Sequence, residues 1–285
     1  MKLALGTVQF GMQYGIANKG GQTERPEVER ILGYALQHGV DMIDTAVAYG
    51  DSEACLGMAG VEKFRVVTKL PAKIEGDVED WASEHLKASL KRLRISTAYG
   101  LLLHRSQQLL GAGGQLLARS LARLKSDGLV DKIGVSIYDP KELELLADEC
   151  SIDLIQAPFN IFDRRLMTSG WLQRLHEDGV EVHVRSAFLQ GLLLMPRVRV
   201  PEQFSPWSDL FDQWHAWLAE THTNATEACL AFANHPMVDR VVIGVDNLDQ
   251  FKEVLHASRG AFVQKAPNLG CNDIKLVNPS NWNTL

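Results

Sequence analysis

Four ionisable residues of four kinds stand where short apolar runs give way to loops: Asp44 and Tyr49 in DTAVAYG, Lys69 in VVTKL and His104 in LLLHR. Each alone has a plain explanation. Asp44 can cap a helix, Lys69 can be a surface charge, and a histidine at a strand end is commonly a hydrogen-bonded structural residue. Taken together they make a proton donor. An unperturbed phenol titrates near ~10, and a buried ammonium close by favours the phenolate and brings the group toward working pH. Asp44 would hold Lys69 charged and in place, while His104 would orient a substrate oxygen or relay the proton. Such a set suits protonation of a carbonyl oxygen as a hydride reaches its carbon.

That chemistry requires one rim shared by all four, so the elements carrying them matter. Strand-like apolar runs are found at Leu3–Gly6, Asp41–Ile43, Arg65–Lys69, Tyr99–His104, Lys132–Ser136, Asp153–Ala157, Glu181–Arg185 and Val238–Gly244. Many are continuous rather than alternating, as in strands buried on both faces. Helical periodicity fills the gaps: Arg25–His38 with Val28, Ile31, Leu32 and Ala35 on one face, an acidic run from Asp51, Trp81–Leu93, and Gln115–Ser126 with Leu116, Leu117, Leu121 and Leu124. Further helices are predicted at 141–149, 165–178, 208–220 and 247–257. Eight strand–helix units with no linker or composition break between them predict a single α/β domain over 1–285, a closed (β/α)8 TIM barrel. Such a barrel puts its chemistry at the C-terminal ends of its strands. The longest connection, from Gly191 to Trp207, follows the seventh strand and is expected over that face. The tail, about 265–285, lacks periodicity and is expected to pack as an extended segment across the barrel.

The composition, 46% hydrophobic and 22% charged over 285 residues, is that of a globular protein with a sizeable core. A net charge of −6 argues against nucleic acid as the main partner. Cys55, Cys150, Cys229 and Cys271 are scattered, which argues against a disulfide framework or zinc site and predicts a reducing, cytoplasmic setting. No apolar stretch is long enough to predict a membrane span, and MKLALGTVQFG does not read as a signal peptide. Neither G-x-G-x-x-G nor a P-loop motif occurs, and GAGG at 111–114 has the wrong spacing for a phosphate loop.

The sequence resembles the aldo-keto reductases, through DTAVAYG, the lysine of VVTKL and the histidine of LLLHR, which match that family's Asp–Tyr–Lys–His tetrad in order. LGTVQFG (5–11), GVSIYDP (134–140), QAPFN (156–160) and VVIGVDNLDQFKEV (241–254) extend the resemblance over nearly the whole chain. It implies an NAD(P)H-dependent reductase of a small carbonyl compound, aldehyde, ketone or sugar, with Tyr49 as general acid assisted by Lys69, Asp44 and His104. It implies no metal. An extended nicotinamide dinucleotide would cross the barrel mouth, touching Gly6 and Thr7, with Ser136 and Gln156 at the carboxamide. Arg185, Ser186, Leu189 and Gly191 would follow after strand seven, then Gly244, Asn247, Gln250 and Glu253 at the adenosine.

The match departs from the family pattern in places. Ile137 stands where asparagine is common, and Arg185 where many members stack an aromatic ring on the nicotinamide. Gly244 and Gln250 replace the Lys and Arg that often hold an adenosine 2′-phosphate. NADP(H) is favoured and NAD(H) is the alternative. The hairpin that closes the barrel bottom in many members is expected to be absent or reduced. Gln9, Phe10, Tyr14, Arg105, Phe162-Asp163-Arg164 and Trp207 are candidates to line the substrate pocket, and the cations Arg105, Arg164 and Arg185 suggest an oxygenated or anionic substrate. Two other readings are an NADPH-binding accessory subunit with little turnover and a non-redox barrel enzyme. Oligomeric state is not legible.

Overall fold

The computed structural model describes residues 2–18, 20–72, 74, 76–111, 113–146, 151–260 and 266–284. Cys150, the end of the predicted 141–149 helix, Ala112 of GAGG, Lys265 and Leu285 therefore lie outside the described residues.

Eight parallel strands, each bonded to the next in sequence, close into a barrel. They are β1 (Leu3–Gly6), β2 (Met42–Asp44), β3 (Arg65–Leu70), β4 (Ala98–Leu103), β5 (Val130–Ser136), β6 (Leu154–Pro158), β7 (Glu181–Arg185) and β8 (Arg240–Gly244). The register brings Gly6 opposite Asp44 on one side and Gly244 on the other, and pairs Ser136 with Gln156. Strands this apolar have both faces to bury. Ala4, Met42, Val67, Leu102, Leu154 and Val242 fill the barrel interior. Alternate residues such as Leu5, Ile43, Leu101, Val182 and Val184 pack outward in the main core.

The helices are α1 (Arg25–Gln37), α2 (Ser52–Ala59), α3 (Val78–Leu93), α4 (Gly114–Ser126), α5 (Lys141–Leu146), α6 (Trp171–Glu177), α7 (Ser208–Glu220), α8 (Ala225–Ala233) and α9 (Leu248–Arg259). Helix α1 buries Val28, Ile31, Leu32 and Ala35, as its periodicity predicts. Asp77 caps α3 by accepting from the backbone N–H groups of Glu79 and Asp80. Three helix expectations need correction. Helix α4 buries Leu117, Leu121 and Leu124 with Ser120, while Leu116 is exposed. The segment 165–178 is two pieces, Arg165–Thr168 and α6, because Gly170 takes φ +83 between them. Helix α8 fills an interval that the sequence left unassigned.

The interval between β7 and β8 builds a second core. Phe162, Leu189, Leu192, Phe204, Phe211, Trp214, Leu276 and Trp282 are among its buried members. Trp214 donates to Leu193 O at 3.1 Å and stacks on Trp217, so both indoles serve packing. The tail belongs to this core: it closes in two helical turns, Ile274–Val277 and Pro279–Thr284, rather than crossing the barrel extended. At the opposite end of the barrel, Glu181 gathers the Tyr99 hydroxyl at 2.7 Å, the Lys132 ammonium, and His183 Nε2 at 2.7 Å. Those donors hold its carboxyl well below the usual range despite burial. Among the described residues no helix is long and apolar enough to cross a membrane.

Candidate active site

Asp44 ends β2 and Lys69 is the penultimate residue of β3, so both point into the barrel near its C-terminal rim. Lys69 is 1% exposed and Asp44 4%. An ammonium so deeply buried needs a full set of partners. Lys69 Nζ has them: Asp44 Oδ2 at 2.6 Å, Asp44 Oδ1 at 2.7 Å and Thr45 O at 3.1 Å. Tyr49 Oη lies at 3.5 Å from the same nitrogen. Gln156 Nε2 donates to Asp44 Oδ1 at 2.6 Å from across the barrel, fixing the carboxylate from the other side. His104 stands just beyond β4, its ring edge-on to that of Tyr49 with centroids 6.1 Å apart. The four residues are thus brought together.

A cluster of hydroxyls sets the loop that carries Tyr49. Thr7 Oγ1 donates to Asp44 O at 3.0 Å, Ser52 Oγ donates to Thr7 O at 2.9 Å, and Thr45 Oγ1 lies 3.1 Å from Ser52 Oγ. Gly11 lets the first loop slide beneath: a Cβ there would stand 1.8 Å from Tyr49 O. Thr7, expected at the cofactor, is fully buried in this cluster, with its hydroxyl taken up by Asp44 O and Ser52 Oγ.

Burial also governs the protonation states, and here one expectation reverses. The Tyr49 phenol is pushed well up, first by burial and then by the Asp44 carboxylate, with Arg185 opposing. Lys69 does not win because Asp44 neutralises it at contact distance. Burial pulls Lys69 itself down, against the carboxylate. His104 is pulled down to about 4 by burial, then by Lys69, Arg185 and Arg105, so it is neutral at pH 7.

The other expected residues divide. Ser136 and Gln156 are buried side by side, and Gln156 Oε1 has no partner among the described residues. Ser186, Leu189 and Gln190 all take positive φ, and Gly191 approaches so near Ala17 that a Cβ would stand 2.6 Å from it. The side chain of Leu189 is buried in the second core, leaving only its backbone to a ligand. Gln9 is buried against Gly244, with Oε1 unpartnered. Tyr14 accepts from Gln190 Nε2 at 3.0 Å. Asn247 is occupied as the cap of α9, accepting from Gln250 N at 2.9 Å, while Gln250 and Glu253 are exposed. Three substrate candidates are corrected. Phe10 is fully buried in the main core. Arg164 donates to Ile161 O at 2.9 Å and to Pro267 O, holding the tail. Trp207 donates to Asp273 at 3.2 Å and packs on the second core. Both aromatics and the arginine serve packing that only the folded tail and helices reveal.

The sequence reading missed Tyr138. The guanidinium of Arg185 lies 4.4 Å from the centre of its ring and that of Arg105 lies 4.7 Å from it. Its own backbone N–H donates to Glu142 Oε1 at 2.7 Å and its carbonyl accepts from Arg165 at 3.0 Å. An aromatic residue two places after Ser136 and ahead of an Asp-Pro turn was the available signal. Among the described residues no group of three or more His, Cys, Asp or Glu side chains is gathered as a metal ion would need.

Residues 2–266 match the family model described as Aldo/keto reductase family. An aldo-keto reductase of Mycobacterium sp. (strain JLS) is 31% identical over 61% of this chain and 63% of its own length, so the match spans under two thirds of that relative. D-arabinose 1-dehydrogenase of Saccharomyces cerevisiae is 24% identical over 89% of this chain and 81% of its own. The solved aldo-keto reductase from Bacillus halodurans superposes with a TM-score of 0.76 at 22% identity, over 92% of this chain and 88% of the other, a likeness of fold. With the family model spanning all eight strands, this chain belongs to the aldo/keto reductase family.

Proposed function

We propose that this chain is an NAD(P)H-dependent carbonyl reductase with Tyr49 as its general acid. The observation carrying this reading is the Lys69 ammonium, clamped on one side by both oxygens of Asp44 and facing Tyr49 Oη at 3.5 Å on the other. The nicotinamide supplies the hydride. The chain supplies the proton: the buried phenol is a neutral donor toward the carbonyl oxygen, and as it gives up its proton the phenolate left behind meets Lys69. Neutral His104 donates a second hydrogen bond to that oxygen and orients it. Asp44, tethered by Gln156, keeps Lys69 from turning away.

The unpartnered Gln156 Oε1 beside Ser136 supports the cofactor assignment, since a buried acceptor is what a carboxamide N–H satisfies. The backbone of 186–191 would hold the phosphates. At the adenosine end, Asp246 accepts from Asn18 Nδ2 at 3.1 Å and from Gln250 Nε2 at 3.3 Å. A carboxylate there repels a 2′-phosphate and can accept from a ribose hydroxyl instead. We therefore shift the expected preference for NADP(H) toward use of NAD(H) at least as well. The name of the yeast relative supports a polyhydroxylated carbonyl substrate. Titration with NADH and NADPH, followed by quenching of the six tryptophans, tests the reading. Saturation by either sustains it, the ratio of affinities reports on Asp246, and failure of both to bind would overturn it.

A further inference from the structure

Arg105 follows β4 and Arg185 ends β7, yet both lie against one tyrosine ring, so their separation is capped by the sum of two short distances. Among the described residues neither guanidinium is in an ion pair. Arg185 donates to Ile137 O at 3.0 Å and lies 3.4 Å from Ser186 Oγ, and Arg105 rests on Tyr138 with its outer face exposed. The carboxylates nearby are already engaged. Asp44 holds Lys69, Asp163 and Asp139 hold Arg165, and Glu142 accepts from the Tyr138 and Asp139 N–H groups and from Ser106 and Gln107. A chain of net charge −6 thus leaves two uncompensated cations beside its candidate proton donor.

The backbone of Tyr138 is also tied at both its N–H and its carbonyl. Glu142 ties the Tyr138 segment to the residues following Arg105, and Arg165 ties it to the loop after β6. Three loops are thereby locked around one aromatic platform. A guanidinium over a ring keeps N–H groups at its edge, and those of Arg105 with those that Arg185 does not spend on Ile137 O and Ser186 Oγ match the planar fork of an oxyanion. Both guanidiniums also bear electrostatically on His104.

We propose that Arg105 and Arg185, spread on Tyr138, bind an oxyanion carried by the substrate, a carboxylate or a phosphate, and so make this a reductase of anionic carbonyl compounds. The proposal rests on the carbonyl-reductase reading and narrows it. The anion anchors the far end of the substrate while its carbonyl oxygen meets Tyr49 and His104. Arg164, spent on the tail, takes no part.

The test compares matched pairs under NADH or NADPH: 4-carboxybenzaldehyde against 4-nitrobenzaldehyde, and glyceraldehyde 3-phosphate against glyceraldehyde. The anionic member of at least one pair should show a kcat/KM higher by about 10- to 100-fold, carried by KM, as expected for charge-assisted hydrogen bonds. Which pair shows it tells carboxylate from phosphate. Arg105→Gln should cut that ratio by about tenfold, and Arg105→Lys, which keeps the charge but not the fork, should restore part of it. Equal rates within both pairs, or a ratio unchanged in Arg105→Gln, would overturn the proposal. If no aldehyde is reduced, the reductase reading fails by itself. Calorimetric titration of the cofactor-loaded protein with 4-carboxybenzaldehyde and with glyceraldehyde 3-phosphate then decides the anion site: binding of either that is lost in Arg105→Gln supports it, and binding of neither, or binding unchanged in the variant, refutes it.

Discussion

Asp44→Asn takes the charge from the only carboxylate that touches a fully buried ammonium among the described residues. Lys69 would keep Thr45 O at 3.1 Å and one amide oxygen, and its burial would stand uncompensated. Removing one partner of a buried pair costs about 3–5 kcal/mol. The structure also sets a ceiling. Lys69 can escape by releasing its proton, and neutralising a lysine of ordinary value 10.5 costs about 5 kcal/mol at pH 7 and about 2 kcal/mol at pH 9. In the variant the folded state then binds fewer protons than the unfolded state below that value, so its stability rises with pH relative to the parent. Urea unfolding, followed by tryptophan fluorescence, should place the variant's midpoint about 1–1.5 M lower at pH 7, taking a slope of roughly 3 kcal/mol/M. The gap should shrink by about a third or more at pH 9, since the ceiling there is about 2 kcal/mol. The double variant Asp44→Asn with Lys69→Met should recover to within about 1 kcal/mol of the parent yet stay inactive, because a neutral pair of similar volume carries no desolvation cost. A penalty independent of pH, or a double variant as unstable as both singles summed, would refute the reasoning. The pair would then be held for stability rather than for chemistry.

Tyr49→Phe should lower kcat by about 10²–10⁴ while leaving the cofactor titration unchanged; a turnover within a few-fold of the parent would move the acid elsewhere. His104, neutral and held at about 4 against an ordinary 6.5, contributes stability above 6.5 that is lost as the pH falls toward 4, because the unfolded state takes the proton first. That loss amounts to about 2 kcal/mol by pH 5, and His104→Gln should abolish it; an identical pH dependence in the variant counts against the assignment. Gln250→Arg with Asp246→Ser should tighten NADPH by at least about tenfold relative to NADH, read by fluorescence quenching, since it exchanges a repelling carboxylate for a phosphate-binding fork. No change in that ratio would mean the adenosine lies elsewhere.

The barrel and its four central residues were legible because their signals are local: apolar runs of strand length, and ionisable residues at or just beyond the ends of three consecutive ones, β2, β3 and β4. What was not legible depends on residues far apart in sequence. The Glu181 network joins residues 82 and 49 positions distant, and no periodicity anticipates such a meeting. Thr7, Phe10, Arg164 and Trp207 stand on loops at the right face, yet packing, not position, decided their roles. The Tyr49 phenol was misjudged for a related reason. The sequence supplies the ammonium but neither the burial that raises the phenol nor the contact distance at which Asp44 cancels that ammonium. Tyr138 escaped notice because its importance comes from two arginines at the ends of other strand units, one after β4 and one ending β7.

The second core has a consequence for the order in which the molecule melts. Leu189 is buried there together with Trp282, near the end of the described chain. Of the five described non-glycine residues at positive φ, three, Ser186, Leu189 and Gln190, sit in or beside that contact. Each holds about 1–3 kcal/mol of strain that persists only while its surroundings insist on it. The eight-stranded wall makes no such demand, since its apolar residues are drawn from a separate set. On warming, the tail and the segment 186–191 should open as one subglobal unit, visible as amide exchange well before the strands give way. Activity would then end with the loss of the backbone proposed to hold the cofactor phosphates, at a temperature where circular dichroism still reports an intact barrel.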